Sequence, residues 1–318
     1  MVTAEQARYN AHNGLIALAH LRSTVHTMDI ARMIGPQIER SFQPYRFTEA
    51  PTIVANGIIP VHDMEKADAQ FLVEGGPFSF WRFHVPSIRA EVDWMGNQVR
   101  IGSVDAPFYE GRLNGAMGLT LKRGKGAGFS LDAKLDRAKL NALFVDVFSP
   151  DTQSQGSLSG HLKIHSGQTE DWGSWQGSGH VELREGFLWD TPLFGVFSPL
   201  LNTVSPGLGN SRANSGPASF TITDSVIHPT DLVFQAPTTR LQYQGQLDFE
   251  GNLDAQIEAE LLRDAPMFGK VVSLALWPVS KLFVYRVSGS LNEPIAEPVY
   301  VLPKILMNPI ASIRNRRD

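Results

Sequence analysis

The sequence predicts a mainly β protein with a few amphipathic helices, and three observations carry that expectation. From about Thr52 onward, apolar and polar residues alternate with a period of two, as in strands with one buried face. Clusters of Gly, Asn and other turn formers recur between the alternating runs. Hydrophobic residues make up 42% and charged residues 19% of the 318 residues, the profile of a chain that folds around a core. That length suits one large β unit or two ordinary domains.

The first 47 residues read differently from the rest. Ala4 to Leu21 is rich in Ala, Gln, Arg and Leu, and Ile30, Met33, Ile34, Ile38 and Phe42 recur at helical spacing after Thr27, a suitable N-cap. Pro36 interrupts or kinks the second of these segments. The expectation is a helical segment over residues 1–47, packed against a β region over residues 48–318.

Within that region the alternating runs include Ile88/Ala90/Val92/Trp94, Phe129/Leu131/Ala133/Leu135 and Phe220/Ile222. The clearest case is a pair of runs. Leu241, Tyr243, Leu247 and Phe249 alternate with Gln and Asp, and Leu253, Ala255, Ile257, Ala259 and Leu261 alternate with Asp, Gln and Glu. Glu250-Gly251-Asn252 between them predicts a hairpin turn. Each run offers one apolar and one solvated face, as antiparallel strands do. Glycines within or just before many strands, among them Gly111, Gly115, Gly160, Gly177, Gly179, Gly245 and Gly289, permit bulges and bends, so the sheet is expected to twist and curl strongly. Helices are expected over residues 136–148, 192–204 and 266–283.

Several kinds of chemistry are excluded or unsupported. There is no cysteine, which removes disulfides, thiolate nucleophiles and Cys-based zinc sites. A net charge of −4 gives no electrostatic basis for binding nucleic acid. The basic residues Arg314, Arg316 and Arg317 read as a solvated terminus. The most apolar stretches are short or broken by Pro199, Pro278 and Lys281, below the ~18 unbroken apolar residues of a spanning helix. The stretch Gly14–Leu21 contains His20 and lacks the flanks of a signal peptide.

Gly156-Ser157-Leu158-Ser159-Gly160 has the glycines of a nucleophile elbow, but leucine holds the nucleophile position. Gly124-Lys125-Gly126-Ala127-Gly128 lies between alternating runs and reads as a hairpin turn. His161 and His165 share a strand face but stand roughly 13 Å apart, too far for one metal. His180 completes a site only by a fortunate register, so solvated histidines are the stronger reading. The tryptophans read first as core. For Trp94, on a strand with one apolar face, lipid contact is a second reading. No catalytic constellation, cofactor or metal site is expected.

A succession of short motifs over Gly156–Glu297 nevertheless has a recognisable order. It begins with Gly-Ser-Leu-Ser-Gly-His-Leu-Lys-Ile at 156–164 and a Gly-x-Gly strand at Gly177–Leu183. Arg-Glu-Gly-Phe-Leu-Trp-Asp-Thr-Pro-Leu-Phe follows at 184–194, then Leu-Leu-Asn-Thr-Val at 200–204 and Phe220-Thr-Ile. Asp231-Leu-Val-Phe, the paired alternating runs, and Val287-Ser-Gly-Ser-Leu-Asn-Glu-Pro294 complete it. This order resembles the AsmA-like C-terminal region of large Gram-negative envelope proteins, including TamB- and YhdP-type relatives, and in style the likeness covers most of the chain after residue 50. The family's N-terminal membrane helix is missing from these residues.

The resemblance implies a long, U-shaped antiparallel sheet with an apolar inner groove, in the periplasm and held at the inner membrane by an anchor outside this chain. It implies handling of phospholipid or another acyl lipid in the upkeep of the outer membrane, with other envelope proteins as partners. The residues expected to face lipid are Leu241, Tyr243, Leu247, Phe249, Leu253, Ile257 and Leu261, with Phe129, Leu131, Ile88, Val92 and Trp94. A strand about ten residues long reaches roughly 33 Å and lays five side chains along one face. Alternation does not distinguish such a groove from a structural or assembly scaffold with a closed core, and that reading stays open here.

Overall fold

A computed structural model of the chain describes residues 1–26, 28–29, 32, 45–61, 63–80, 82–122, 125–147, 154–186, 213–235, 239–261, 281–291 and 293–301. The protein is mainly β. Its strands form one large antiparallel sheet and a separate three-stranded one. The chain divides into two compact units: residues 1–147 with 159–178, and residues 148–158 with 179–318.

The strands of the first unit are β1 Val2–Thr3, β2 Gln6–Asn10, β3 Leu15–Ser23, β4 Tyr45–Phe47, β5 Thr52–Pro60, β6 Asp68–Gly75, β7 Phe78–Phe80, β8 Phe83–Val85, β9 Ile88–Met95, β10 Gln98–Phe108, β11 Gly111–Lys122 and β12 Lys125–Lys139. A helix, α1, covers Leu140–Val147, and β13 (Ser157–Gln168) and β14 (Asp171–Gly186) follow. Both β1 and β2 pair with β3 at one margin, and the ladder then runs β3–β5–β6–β9–β10–β11–β12, every pairing antiparallel. Hence most strands pair with their nearest sequence neighbours in a meander. The excursion to β7 and β8 joins β4 in the three-stranded sheet, order β4–β7–β8.

The N-terminal residues correct part of the helical expectation for residues 1–47. Residues 1–26 carry a hairpin, β2–β3, laid against β5, with helical backbone at Met28, Asp29 and Arg32 among the described residues, while Ile30, Met33, Ile34, Ile38 and Phe42, whose spacing predicts a helix, lie outside them. The composition of Ala4–Leu21 misleads, and β3 carries a bulge. Ile16 and Leu18 lie opposite Ile59 and Gly57, the register then slips around His20, whose φ is 47°, and Leu21 regains the same face opposite Ala55. One extra residue breaks the period of two that marks a strand. Helix propensity differs by only a few tenths of a kcal/mol per residue, too little to outweigh a paired strand.

The helix expected at 136–148 begins later, at Leu140. The strand pairing persists to Asp136, opposite Arg112, and the Arg137 and Lys139 amides donate to Ser159 Oγ (3.0 Å) and to the Tyr109 carbonyl (2.8 Å). Leu140 and Leu143 are the buried residues of α1. The helix expected at 192–204 lies outside the described residues. So does most of that at 266–283, although residues 281–283 already belong to a strand. No described helix is long and apolar enough to cross a membrane.

The second unit holds β15 Ala213–Thr223, β16 Val226–Pro229, β17 Val233–Gln235, β18 Thr239–Asp248, β19 Asn252–Leu261, β20 Lys281–Ser290 and β21 Pro294–Val301. β16 and β17 are two halves of one interrupted strand between β15 and β18. At the break, the Asp231 carboxylate accepts from the Ser219 amide and hydroxyl. The ladder continues β18–β19–β20–β21, and β21 has β20 as its one described partner. The large sheet is therefore not closed.

The predicted hairpin at Gly251 forms in the expected register, with Leu241 opposite Ala259, Tyr243 opposite Ile257 and Leu247 opposite Leu253. Gly251 has φ +91°, a conformation that favours glycine. Asp248 fixes the turn: its carboxylate accepts from the Glu250 amide (2.9 Å), the Asn252 amide (2.8 Å) and the Asn252 side chain (2.8 Å). These bonds, that from the Asn252 side chain foremost, hold the Asp248 carboxyl below its ordinary pKa.

Candidate functional site

Register in the first unit assembles one apolar face from six long strands and β3. Directly opposed residues of an antiparallel pair project to the same side, so the pairings trace rows across the sheet. One row runs Leu21, Ala55, Phe71, Val92, Ile101, Met117 and Leu131. The next runs Leu18, Gly57, Ala69, Trp94, Val99, Leu119 and Phe129. Every position in these two rows is apolar.

The larger side chains of these rows are half-buried, not buried. Phe71, Val92, Trp94, Val99, Ile101, Met117, Leu119 and Leu131 are all of this kind, whereas the short Ala55 and Ala69 and the ring of Phe129 are out of solvent. A sheet face packed against a second layer buries its large side chains first. Here they retain access to solvent along several consecutive strands. The Trp94 indole N–H donates to the Gly96 carbonyl at 2.8 Å, so the ring's one polar atom is satisfied and the rest of its surface is apolar.

The opposite face is polar and ionic. Arg112 makes a two-pronged ion pair with Asp105, which also accepts from Asn114 (3.1 Å), and this holds the Asp105 carboxyl below its usual range. His161 lies 2.7 Å from Asp132 and lowers its pKa in the same way. Thr120 donates to Gln98 (3.0 Å), and Lys122 to Gln168 (3.1 Å). The sheet is thus amphipathic across its thickness.

The two ends of the apolar face differ. Towards the β10–β11 turn it is covered by the three-stranded sheet. Phe78, Val85 and Ala106 form a buried cluster there, with Phe47, Ile88, Phe108 and Leu113 packed around it. Towards the opposite end it runs into an aromatic group. The Phe129 ring meets Trp175 edge-on at 4.9 Å, and Trp175 stacks on Trp172 at 4.9 Å, leaving Trp172 47% exposed. Gly167 lies between Phe129 and Trp175, where a Cβ would come within 2.7 Å of the Phe129 ring and 3.1 Å of the Trp175 ring.

The second unit also presents one apolar face, but its side chains are out of solvent. Ile257 is 2% exposed and Val287 0%, and Leu241, Tyr243, Leu253 and Tyr285 are buried with them. Leu247 and Phe249, beside the turn, are half-buried, and the Leu261 side chain lies outside the described residues. Among the described residues the buried Tyr243 hydroxyl has no hydrogen-bond partner, and burial raises its pKa.

The residues expected to face lipid therefore fall into two groups. Phe129, Leu131, Val92 and Trp94 share the half-buried face of the first unit, and Ile88 sits under its covered end. Leu241, Tyr243, Leu253 and Ile257 belong to a buried face and are not open to solvent. Sequence reasoning missed Phe71, Val99, Ile101, Met117 and Leu119. The alternation Val99/Ile101 resumes as Val104/Ala106/Phe108 after a one-residue slip at Gly102-Ser103, where Ser103 has φ 50°. A Gly-Ser pair between two out-of-phase alternations is the signal that finds Val99 and Ile101.

Among the described residues, no group of three His, Cys, Asp or Glu side chains is placed to hold a metal ion. His161 faces Asp132, and His180 lies 3.2 Å from the Ser219 hydroxyl. Compared with family models, curated proteins and solved structures, the chain matches none.

Proposed function

We propose that this protein is a non-enzymatic lipid-holding or lipid-transfer module of the Gram-negative envelope, acting in the periplasm at the inner-membrane side. Its ligand is a phospholipid or another acyl lipid, held along the apolar face of the first unit. The observation that carries this reading is the run of large, half-buried apolar side chains across β6, β9, β10, β11 and β12. Acyl chains on such a face gain about 0.8 kcal/mol per buried CH₂, and no bond chemistry is needed. The order of motifs shared with AsmA-like regions supports the envelope setting. A closed structural core is the better reading for the second unit, because Ile257 and Val287 are almost wholly out of solvent there.

The test is mass spectrometry of lipid retained after gentle purification of the whole chain, its Val92→Asp variant and the polar-face control Glu91→Gln. The wild type and the control retain lipid, while Val92→Asp folds and loses it. Wild-type protein without lipid, or a folded Val92→Asp protein with its full load, sinks the proposal.

A further inference from the structure

Among the described residues, the three-stranded sheet β4–β7–β8 makes no ladder pairing with the large sheet. It rests on one end of the apolar face through side chains. Phe83 meets Phe108 of β10 at 5.8 Å, Leu113 and Ile88 pack against the Phe78–Val85 cluster, and within the three-stranded sheet Phe47 stacks on Phe78 at 5.0 Å. The His26 ring lies 3.3 Å from the Phe47 carbonyl of β4, and a second polar attachment gathers at one carboxylate. Asp146 of α1 accepts from the Tyr109 hydroxyl and lies 2.8 Å from His84 Nδ1 of β8, and the His84 amide donates back to the Tyr109 hydroxyl at 3.1 Å. Next to it, Arg82 donates to the Val147 carbonyl at 2.8 Å. Burial and the neighbouring Asp146 carboxylate push the Tyr109 pKa up to about 12, so the phenol stays a donor across the neutral range.

We propose that β4–β7–β8 is a lid over one end of the apolar face, latched shut through Tyr109, Asp146 and His84. Three features carry this. Among the described residues, no ladder pairing makes the lid part of the large sheet. The surface beneath it, at Ile88, Ala106, Phe108 and Leu113, continues the same apolar face that lies half-buried beyond it. And the side chains that fasten it come from three separate elements that meet at Asp146. Release of the latch uncovers that end of the face and lengthens the apolar surface open to a ligand. The proposal builds on the lipid-holding reading, but the structural claim is testable without any lipid.

The chain has no cysteine, so one introduced thiol reports on one place. Leu113→Cys puts a thiol beneath the lid, and Val99→Cys puts one on the uncovered part of the same face. Each is labelled with a maleimide in lipid-stripped protein. Tyr109→Phe keeps the ring that packs on Phe108 and removes the hydroxyl, and Asp146→Asn removes the charge. Losing a hydrogen bond to a charged group corresponds to a shift of about tenfold. Both variants are therefore expected to speed labelling of Leu113→Cys by about tenfold, the double variant to add little, and Val99→Cys to be unchanged. Wild-type labelling of Leu113→Cys in both variants overturns the lid. Equal acceleration at both thiols also overturns it, since that is loosening of the whole unit. Because the readout involves no lipid, a failed lipid-retention experiment leaves this result standing.

Discussion

Tyr243 brings a hydroxyl onto a face shared with Leu241, Ile257, Ala255, Ala259 and Tyr285, and among the described residues it finds nothing to bond with. Burying an unsatisfied hydroxyl costs about 1–3 kcal/mol, so Tyr243→Phe is expected to stabilise the protein by about 1 kcal/mol. Urea unfolding measures this as a raised midpoint with an unchanged slope. A lowered midpoint would show that the hydroxyl is held by a partner. On the apolar face of the first unit the Trp94 indole bonds within its own turn, so no such orphan arises from its polar atom. Similar apolar side chains thus meet different surroundings in the two units: half-exposed for Val92 and Ile101, enclosed for Ile257 and Val287.

At the scale of elements, the aromatic end of the apolar face depends on a missing side chain in β13. Gly167→Val drives two methyl groups into the space between Phe129 and Trp175 and is expected to cost about 1–3 kcal/mol through overpacking. The Trp172–Trp175 stack should separate, which near-UV circular dichroism reads as lost tryptophan signal. An unaltered spectrum would show that the two rings do not depend on Gly167. The sequence made some elements plain and concealed others for a single reason. The β18–β19 hairpin was legible because Leu241 to Leu261 alternates without a slip and Gly251 marks the turn. β3 and β10 were not, because register slips at His20 and at Gly102-Ser103, with positive φ at His20 and Ser103, shift the phase of the pattern by one residue. A rule of strict alternation sees those strands as helix or as noise. The face itself was half legible: Val92, Trp94 and Leu131 came from unbroken runs, Ile101 lay behind the Gly102-Ser103 slip, and Met117 needed register that only the folded chain supplies. Nothing local in the sequence separates a half-buried face from a buried one, since Val92 and Ile257 sit in equally regular alternations.

At the scale of the molecule, the two units should answer the same insult differently. Ile257→Asp buries an unpaired charge beside Tyr243 and is expected to cost several kcal/mol, a large part of a typical domain's stability. Val92→Asp, on a face that solvent already reaches, should lower stability by much less. Thermal melts of the two variants compare them directly, and equal losses would mean that the first unit's face is as enclosed as the second's. The meander has a further consequence, for heredity. When each strand pairs with its neighbours in sequence, contacts are local, and stability becomes roughly a sum over adjacent pairs. Duplicating or deleting two consecutive strands then leaves the other registers intact and keeps the alternation of directions. A gene encoding such a sheet can change the extent of its apolar surface by one hairpin at a time, without inventing a new fold at each step.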